Sequence, residues 1–177
     1  MSIIQIKNIN QLVASLGHPK SKHPYFTIID FDAVSVPEKF ENRKVSMDFY
    51  SISMKDFKGT FDYGRRAFDF EEGSMIFTSP EQVITLGEKG FNQEGHHGWS
   101  LFFHLDFIKS AELKQQIKAY NFFNYRQEEA LHLSNKERLK INACIDNIKI
   151  EYDDNIDKFT QEIVVNNIEL LLNYCNR

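Results

Sequence analysis

At 177 residues the chain has the length of one domain and can bury a real core. With 21 basic and 25 acidic side chains the net charge is −4, and no basic run is longer than Arg65-Arg66. That argues against the chain itself gripping nucleic acid, where clustered Lys and Arg must neutralise phosphates. Sixteen Phe, seven Tyr and one Trp favour a β-rich body lined with rings. The start, Met-Ser-Ile-Ile-Gln-Ile-Lys, has no charged lead into an apolar core and no small-residue cleavage site. No apolar stretch approaches the roughly 20 residues that span a bilayer, so no membrane partner is expected and a cytoplasmic location is.

In chain order, Asn8 to Gly17 places apolar residues at 9, 12, 13 and 16 behind an Asn cap and before a stopping Gly, a short amphipathic helix. The following His18-Pro19-Lys20-Ser21-Lys22-His23-Pro24 reads as a loop, its histidines as exposed turn residues because no third ligand follows at matching spacing. Tyr25 to Phe31 is a strand and Glu38 to Lys44 a connector. Lys44 to Met54 is a long alternating strand, with Val45, Met47 and Phe49 on one face and Tyr50, Ile52 and Met54 on the other. Lys58-Gly59 turns it into Thr60 to Tyr63, continued by Arg65 to Phe70 as a hairpin.

Three short apolar runs, Ala67 to Phe70, Met75 to Thr78 and Val83 to Leu86, are separated by Glu71-Glu72-Gly73 and Ser79-Pro80-Glu81, and such punctuation marks strands. A fourth, Trp99 to Phe103, sets Trp99, Leu101 and Phe103 on one face and Ser100 and Phe102 on the other. The period then lengthens. Asp106 is expected to cap a helix through Tyr120 that turns Phe107, Ile108, Leu113, Ile117 and Tyr120 inward. A loop at 121–126 leads to Leu131-His132-Leu133. Ser134 and Glu137 form a capping box for a helix with Ile141, Cys144 or Ile145, Ile148 and Tyr152 on one stripe, ending near Asp153-Asp154-Asn155. The last helix runs from about Lys158 with Val164, Ile168, Leu171 and Cys175 at helical spacing. Cys144 and Cys175 lack metal spacing and read as buried reduced thiols.

The order Phe70-x-x-Gly73-Ser74-Met75-Ile76-Phe77-x-x-Pro80, then Gly98-Trp99-x-Leu101-x-Phe103-His104, resembles the cupin sensor domain of AraC-type transcriptional regulators, in its Bacteroidetes-like branch. The resemblance extends over nearly the whole chain, through Leu16-Gly17-His18-Pro19, Phe49-Tyr50-Ser51-Ile52-Ser53 and Ile168 to Tyr174. It implies a cupin-like double-stranded β-helix, or jelly roll, over residues 1–106 with a short N-terminal helix. An antiparallel helical hairpin for dimerisation follows over 107–177. A helix-turn-helix DNA-binding domain is expected beyond 177, so DNA would be met only through that domain. The function implied is effector sensing and homodimerisation, without catalysis; the alternative is a stand-alone small cupin enzyme or sugar-binding protein.

Metal-dependent cupins carry a His-x-His pair, a Glu and a distant His. Here position 82 is Gln, 84 is Ile, and His96-His97 are adjacent, so on a strand they would point to opposite faces; neither a metal nor another cofactor is expected. No Gly-x-Ser-x-Gly and no phosphate-binding loop occurs. The lumen is expected to hold an unknown small-molecule effector against Tyr50, Ile52, Arg66, Phe68, Gln82, Ile84 and Trp99. Arg66 in a lumen would need an anion or a carboxylate, though Arg65-Arg66 also reads as an exposed edge pair, and Trp99 as core. His104 is expected to make a structural hydrogen bond at the rim. Val164, Ile168, Leu171 and Cys175 are the expected dimer stripe; the other reading is that both faces of the hairpin are covered within one chain.

Overall fold

The computed structural model describes residues 3–33, 37–40, 43–56, 59–63, 66–70, 73–85, 97–124 and 130–176, with the backbone alone at 56, 59–63, 66–70 and 124. β1 (Ile4–Ile6) leads into α1 (Ile9–Ser15), whose cap is Asn8, its side chain accepting the Gln11 N–H. β2 (Phe26–Asp30), β3 (Lys44–Met47), β4 (Tyr50–Asp56), β5 (Gly59–Tyr63), β6 (Arg66–Phe70), β7 (Ser74–Thr78), β8 (Val83–Thr85) and β9 (His97–Phe103) follow. After them come α2 (Ala111–Ala119), α3 (Asn121–Asn124), the two-residue β10 (Leu131–His132), α4 (Asn135–Asp153) and α5 (Thr160–Cys175).

The fold is mixed α/β with mostly antiparallel sheets. A five-stranded sheet has the order β10-β7-β4-β9-β2, a three-stranded sheet the order β1-β3-β8, and β5 pairs with β6. Among the described residues these sheets close no barrel. Among the described residues the one parallel pair is β1 with β3. The expected long strand over 44–54 is in fact two, because the chain leaves one sheet at Asp48-Phe49 and enters the other at Tyr50. Residues 74–85 make the same crossing. The two segments pair on both sides of it, Ser46 with Val83 in the small sheet and Ser51 with Thr78 in the large one. Glu81 takes φ 66° at the crossing, and its N–H donates to the Met47 carbonyl at 2.7 Å.

The parity change between Phe49 and Tyr50 is what the sequence periodicity shows, and the structure gives its reason. Val45, Met47 and Phe49 enter a core with Ile6, Ile9, Leu12, Val13, Ile29 and Phe40, between the small sheet, α1 and one face of the large sheet. Tyr50, Ile52 and Met54 enter a second core on the opposite face, shared with the helices. The helical half is therefore not separated from the sheet at residue 106: Leu113, Ile117, Ile141, Ile148 and Ile168 share a core with Phe26, Leu101 and Phe103, and β10 pairs with β7.

Several local expectations are corrected. β1 lies in a stretch to which the sequence reading assigns no element. No helix starts at Asp106; a 3-10 turn over Leu105–Phe107 forms instead, with His104 Nδ1 accepting the Asp106 N–H. Extended backbone at Ile108 lets the adjacent Phe107 and Ile108 both be buried, and α2 begins behind Ser110, whose hydroxyl accepts the Leu113 N–H. α3 occupies part of the expected loop at 121–126. The capping box at Ser134 and Glu137 forms, and α4 ends at Asp153. α5 begins at Thr160, after Asp157, whose carboxylate accepts the N–H groups of Phe159 and Thr160 and is held below the usual carboxylate range by those bonds.

Candidate functional site

Side chains alternate across a strand, so the five-stranded sheet has two faces, and they differ in chemistry. Toward the helices it presents Tyr50, Ile52, Met54, Met75, Phe77, Trp99, Leu101 and Phe103, all buried. The packing is aromatic and specific. Tyr50 stacks on Phe103 with ring centres 5.4 Å apart and meets Phe123 edge-on, while Trp99 Nε1 donates to Asn142 Oδ1 at 3.1 Å.

Tyr50, Ile52 and Trp99, expected to line a lumen, therefore point into the helical layer. The expected dimer stripe is corrected in the same way. Val164, Ile168 and Leu171 have no exposed surface and Cys175 almost none; its thiol lies 3.7 Å from the Met75 sulfur. These four residues are the inward stripe of α5, covered within the chain.

The opposite face carries Ser51, Ser53 and Lys55 on β4, Ser74, Ile76 and Thr78 on β7, and Gly98, Ser100 and Phe102 on β9. The register sets Ser53 between Ser100 and Ile76, and Lys55 between Gly98 and Ser74. The Ser53 and Ser100 hydroxyls meet at 2.7 Å, and Ser74 Oγ lies 3.1 Å from His132 Nδ1 on β10. Ser51, Ser74, Thr78 and Ser100 are buried; Ser53, Ile76 and Phe102 keep part of their surface accessible. Ser53 lies on the central strand with a neighbour on either side, so its accessible surface has to open above the sheet face. At the far end this face is filled, Phe49 meeting Phe102 edge-on.

Lys55 is the exceptional residue of this face. It is 2% exposed, and burial pushes its ammonium down to about 7 from an ordinary value of 10.5. It is engaged within the chain, and its backbone carbonyl accepts the Gly73 N–H. Beside it the Phe31 ring lies over Gly98, which has φ 138°; a Cβ there would meet the Met54 carbonyl at 2.2 Å and the ring at 2.8 Å. Glycine is thus required where the aromatic ring closes over the strand.

The remaining expected ligand residues are scattered. Gln82 sits at the corner between β7 and β8, where its Oε1 accepts the Ser79 N–H. Ile84, half-buried on β8, packs against the core that the small sheet shares with α1. Arg66 and Phe68 fall on β6, with side chains outside the described residues. Lys55, Ser53 and Ser100 were missed because the conspicuous aromatics drew the ligand reading to their own parity. The sign available in the sequence was Ser51-x-Ser53-x-Lys55, three polar residues alternating with Tyr50, Ile52 and Met54.

Among the described residues no group of three or more His, Cys, Asp or Glu could hold a metal ion. His97 Nδ1 is 3.1 Å from the Asp32 carboxylate at the surface, and His96 lies outside the described residues. His23 is not a plain turn residue: its ring packs on Phe26 and Phe107, burial lowers its pKa, and its Nδ1 accepts the Tyr25 N–H. Cys144 and Cys175 are buried and free, and burial raises both thiols, Cys175 to about 12. No described helix is long and apolar enough to cross a membrane. A scan against protein-family models and a search of curated proteins returned no match to this chain.

Proposed function

We propose that the chain is the effector-sensing and dimerisation domain of an AraC-type transcriptional regulator, with no catalysis of its own. In this reading the two β layers are a cupin-like jelly roll, and the crossing of residues 44–56 and 74–85 from one sheet to the other supports it, since a jelly roll is a pair of antiparallel strands folded over itself. The observation that carries the functional part is the two-sidedness of the five-stranded sheet. A partly open, hydroxyl-lined face bearing Lys55 backs onto the strands that hold the helical layer. A small molecule settling on Ser53 would bias β4 and β9, and through Trp99 and Asn142 would reach α4.

Dimerisation in this reading uses the outer stripe of α4. Lys136, Leu139, Ala143, Asp146 and Ile150 are all exposed at helical spacing, with Leu139 73% and Ile150 59% accessible, and the exposed Asp154 follows as the C-cap of the helix. The occupant is a second copy of this chain. The stripe is self-complementary, for when two α4 helices cross antiparallel near residue 145, Lys136 meets Asp154 of the copy and Leu139 meets Ile150, with Ala143 allowing close approach. Ile163 and Leu170 on α5 widen the patch.

DNA would be met through a helix-turn-helix domain following residue 177, in a cytoplasmic protein. Sequencing the gene past Arg177 tests this: an in-frame basic helix-turn-helix segment supports the regulator, and a stop codon there contradicts it.

A further inference from the structure

We infer that residues 21–25 form a strap across the C-terminal end of α4 that opens in acid, with His23 as the residue that takes up the proton. The inference stands on the contacts of the strap and not on the sensing reading above. The strap begins at Ser21, whose N–H donates to Asn10 Oδ1 on α1 at 3.2 Å, and runs to Tyr25, the residue before β2. Between these ends it is held to α4 through one hydroxyl. Tyr152 Oη lies 2.9 Å from Ser21 Oγ and accepts the Lys22 N–H at 3.1 Å and the Thr27 hydroxyl at 3.2 Å. A phenol has two acceptor positions and one proton, so Tyr152 donates to Ser21 and is fully used. Lys22 Nζ adds a bond to Asp153 Oδ1 at 3.0 Å. Lys22, Pro24 and Tyr25 are exposed and Ser21 and His23 half-buried, so few apolar contacts hold the strap and the polar hub decides whether it is closed.

His23 makes the closed strap sensitive to protons. Its Nδ1 accepts the Tyr25 N–H at 3.1 Å, which requires the tautomer with its proton on Nε2. A second proton has to go on Nδ1, where it meets that N–H head-on and removes the bond. The imidazolium would also sit against apolar rings, Phe26 at 4.8 Å and Phe107 at 4.9 Å between ring centres. Among the described residues, the carboxylates with contacts at this corner are already engaged. Asp153 on α4 holds Lys22, Asp30 on β2 holds Lys149, and Asp106 in the 3-10 turn lies 3.4 Å from His104 Nδ1. The strap's own Lys22 adds a like charge, Tyr25 and Tyr152 bring phenols, and from α5 the Gln161 amide donates to the Phe107 carbonyl.

Burial accordingly lowers the His23 pKa from 6.5. The closed strap is therefore favoured above about pH 6.5 and weakens as pH falls toward the lowered value, by at most about tenfold per pH unit for one proton. What opens is local. α4 stays seated through the Lys149–Asp30 bond at 2.6 Å and the buried Ile148, while its last turn at Tyr152 and the sheet edge at Thr27 lose their cover.

The test follows the 15N-labelled chain by NMR between about pH 7.5 and 5.5. After correction for intrinsic exchange, the amides of Ser21, Lys22 and Tyr25 are expected to lose protection together as pH falls, while that of Leu101 in β9 keeps its own. His23→Gln, which cannot titrate, is expected to remove this pH dependence, and His104→Gln, at the other histidine beside Tyr25, to leave it in place. Linkage supplies a second readout that leaves His23 untouched. Tyr152→Phe deletes the hydroxyl hub, so the His23 ring should titrate closer to 6.5 than in the parent, where its midpoint lies lower. Strap amides without protection at the upper pH, or protection that does not change with pH, overturns the inference. So does a fall that persists in His23→Gln or vanishes in His104→Gln, or a His23 midpoint unmoved by Tyr152→Phe.

Discussion

The two faces of the five-stranded sheet share every backbone hydrogen bond and differ in every side chain. One carries Tyr50, Ile52, Met54, Leu101 and Phe103 into the helical layer; the other carries Ser51, Ser53, Lys55 and Ser100. Apolar area removed from water stabilises by about 25 cal/mol per Å², so the first face supplies stability. The second holds a buried ammonium, which costs stability, and hydroxyls that gain little from burial. Its far end still packs against the smaller core through Ile29 and Phe102, so the part free to bind is the stretch around Ser53, which retains access.

The largest effect is expected on the helix face. Ile168→Ala, in the middle of α5 with no exposed surface, should lose about 2 to 5 kcal/mol in denaturant unfolding. An equally costly Ser53→Ala would remove the contrast between the faces.

Next comes the pH dependence of Lys55. In the unfolded chain this amine stays protonated to about 10.5, while in the fold it sheds its proton near 7. Between these values the unfolded state binds more protons, so stability rises with pH, by at most about 1.4 kcal/mol per pH unit. Burial of Cys144 and Cys175 acts in the opposite sense above about pH 9, because unfolded thiols lose their protons first. Lys55→Met should therefore show a flatter rise in stability from pH 7 to 9 than the parent in parallel urea titrations.

A smaller loss is expected at the start of α4. Ser134→Ala removes the cap that accepts the Glu137 N–H and should cost about 1 kcal/mol by thermal unfolding. Smallest for folding is the outer stripe: Leu139→Asp should change monomer stability by no more than about 0.5 kcal/mol while shifting sedimentation from dimer to monomer. Lys136→Asp alone should weaken the dimer by setting two acids against each other, and adding Asp154→Lys should restore it.

Much of this contrast was legible in the residues. The alternation of Tyr50, Ile52 and Met54, the capping box at Ser134 and the inward stripe of α5 all follow from local periodicity, which chain neighbours determine. Which layer each stripe meets does not follow from periodicity. Val164, Ile168, Leu171 and Cys175 would look the same facing a second subunit as facing the sheet, and only the tertiary arrangement assigns them to the core. Trp99 and Tyr50 likewise carry no sign of which side is open. β1 was hidden because three residues in parallel pairing with β3 make a non-local element with almost no periodicity to read.

The most direct measurement compares two neighbours on β4. Ser53→Cys and Ile52→Cys differ by one residue and face opposite layers, and the native Cys144 and Cys175 are buried, so they stay silent under native conditions. Labelling with a small thiol reagent should modify Ser53→Cys rapidly in the folded chain, and Ile52→Cys only as fast as the chain unfolds. Equal protection of the two would mean that the hydroxyl face is closed like the core, and would contradict a binding function for it.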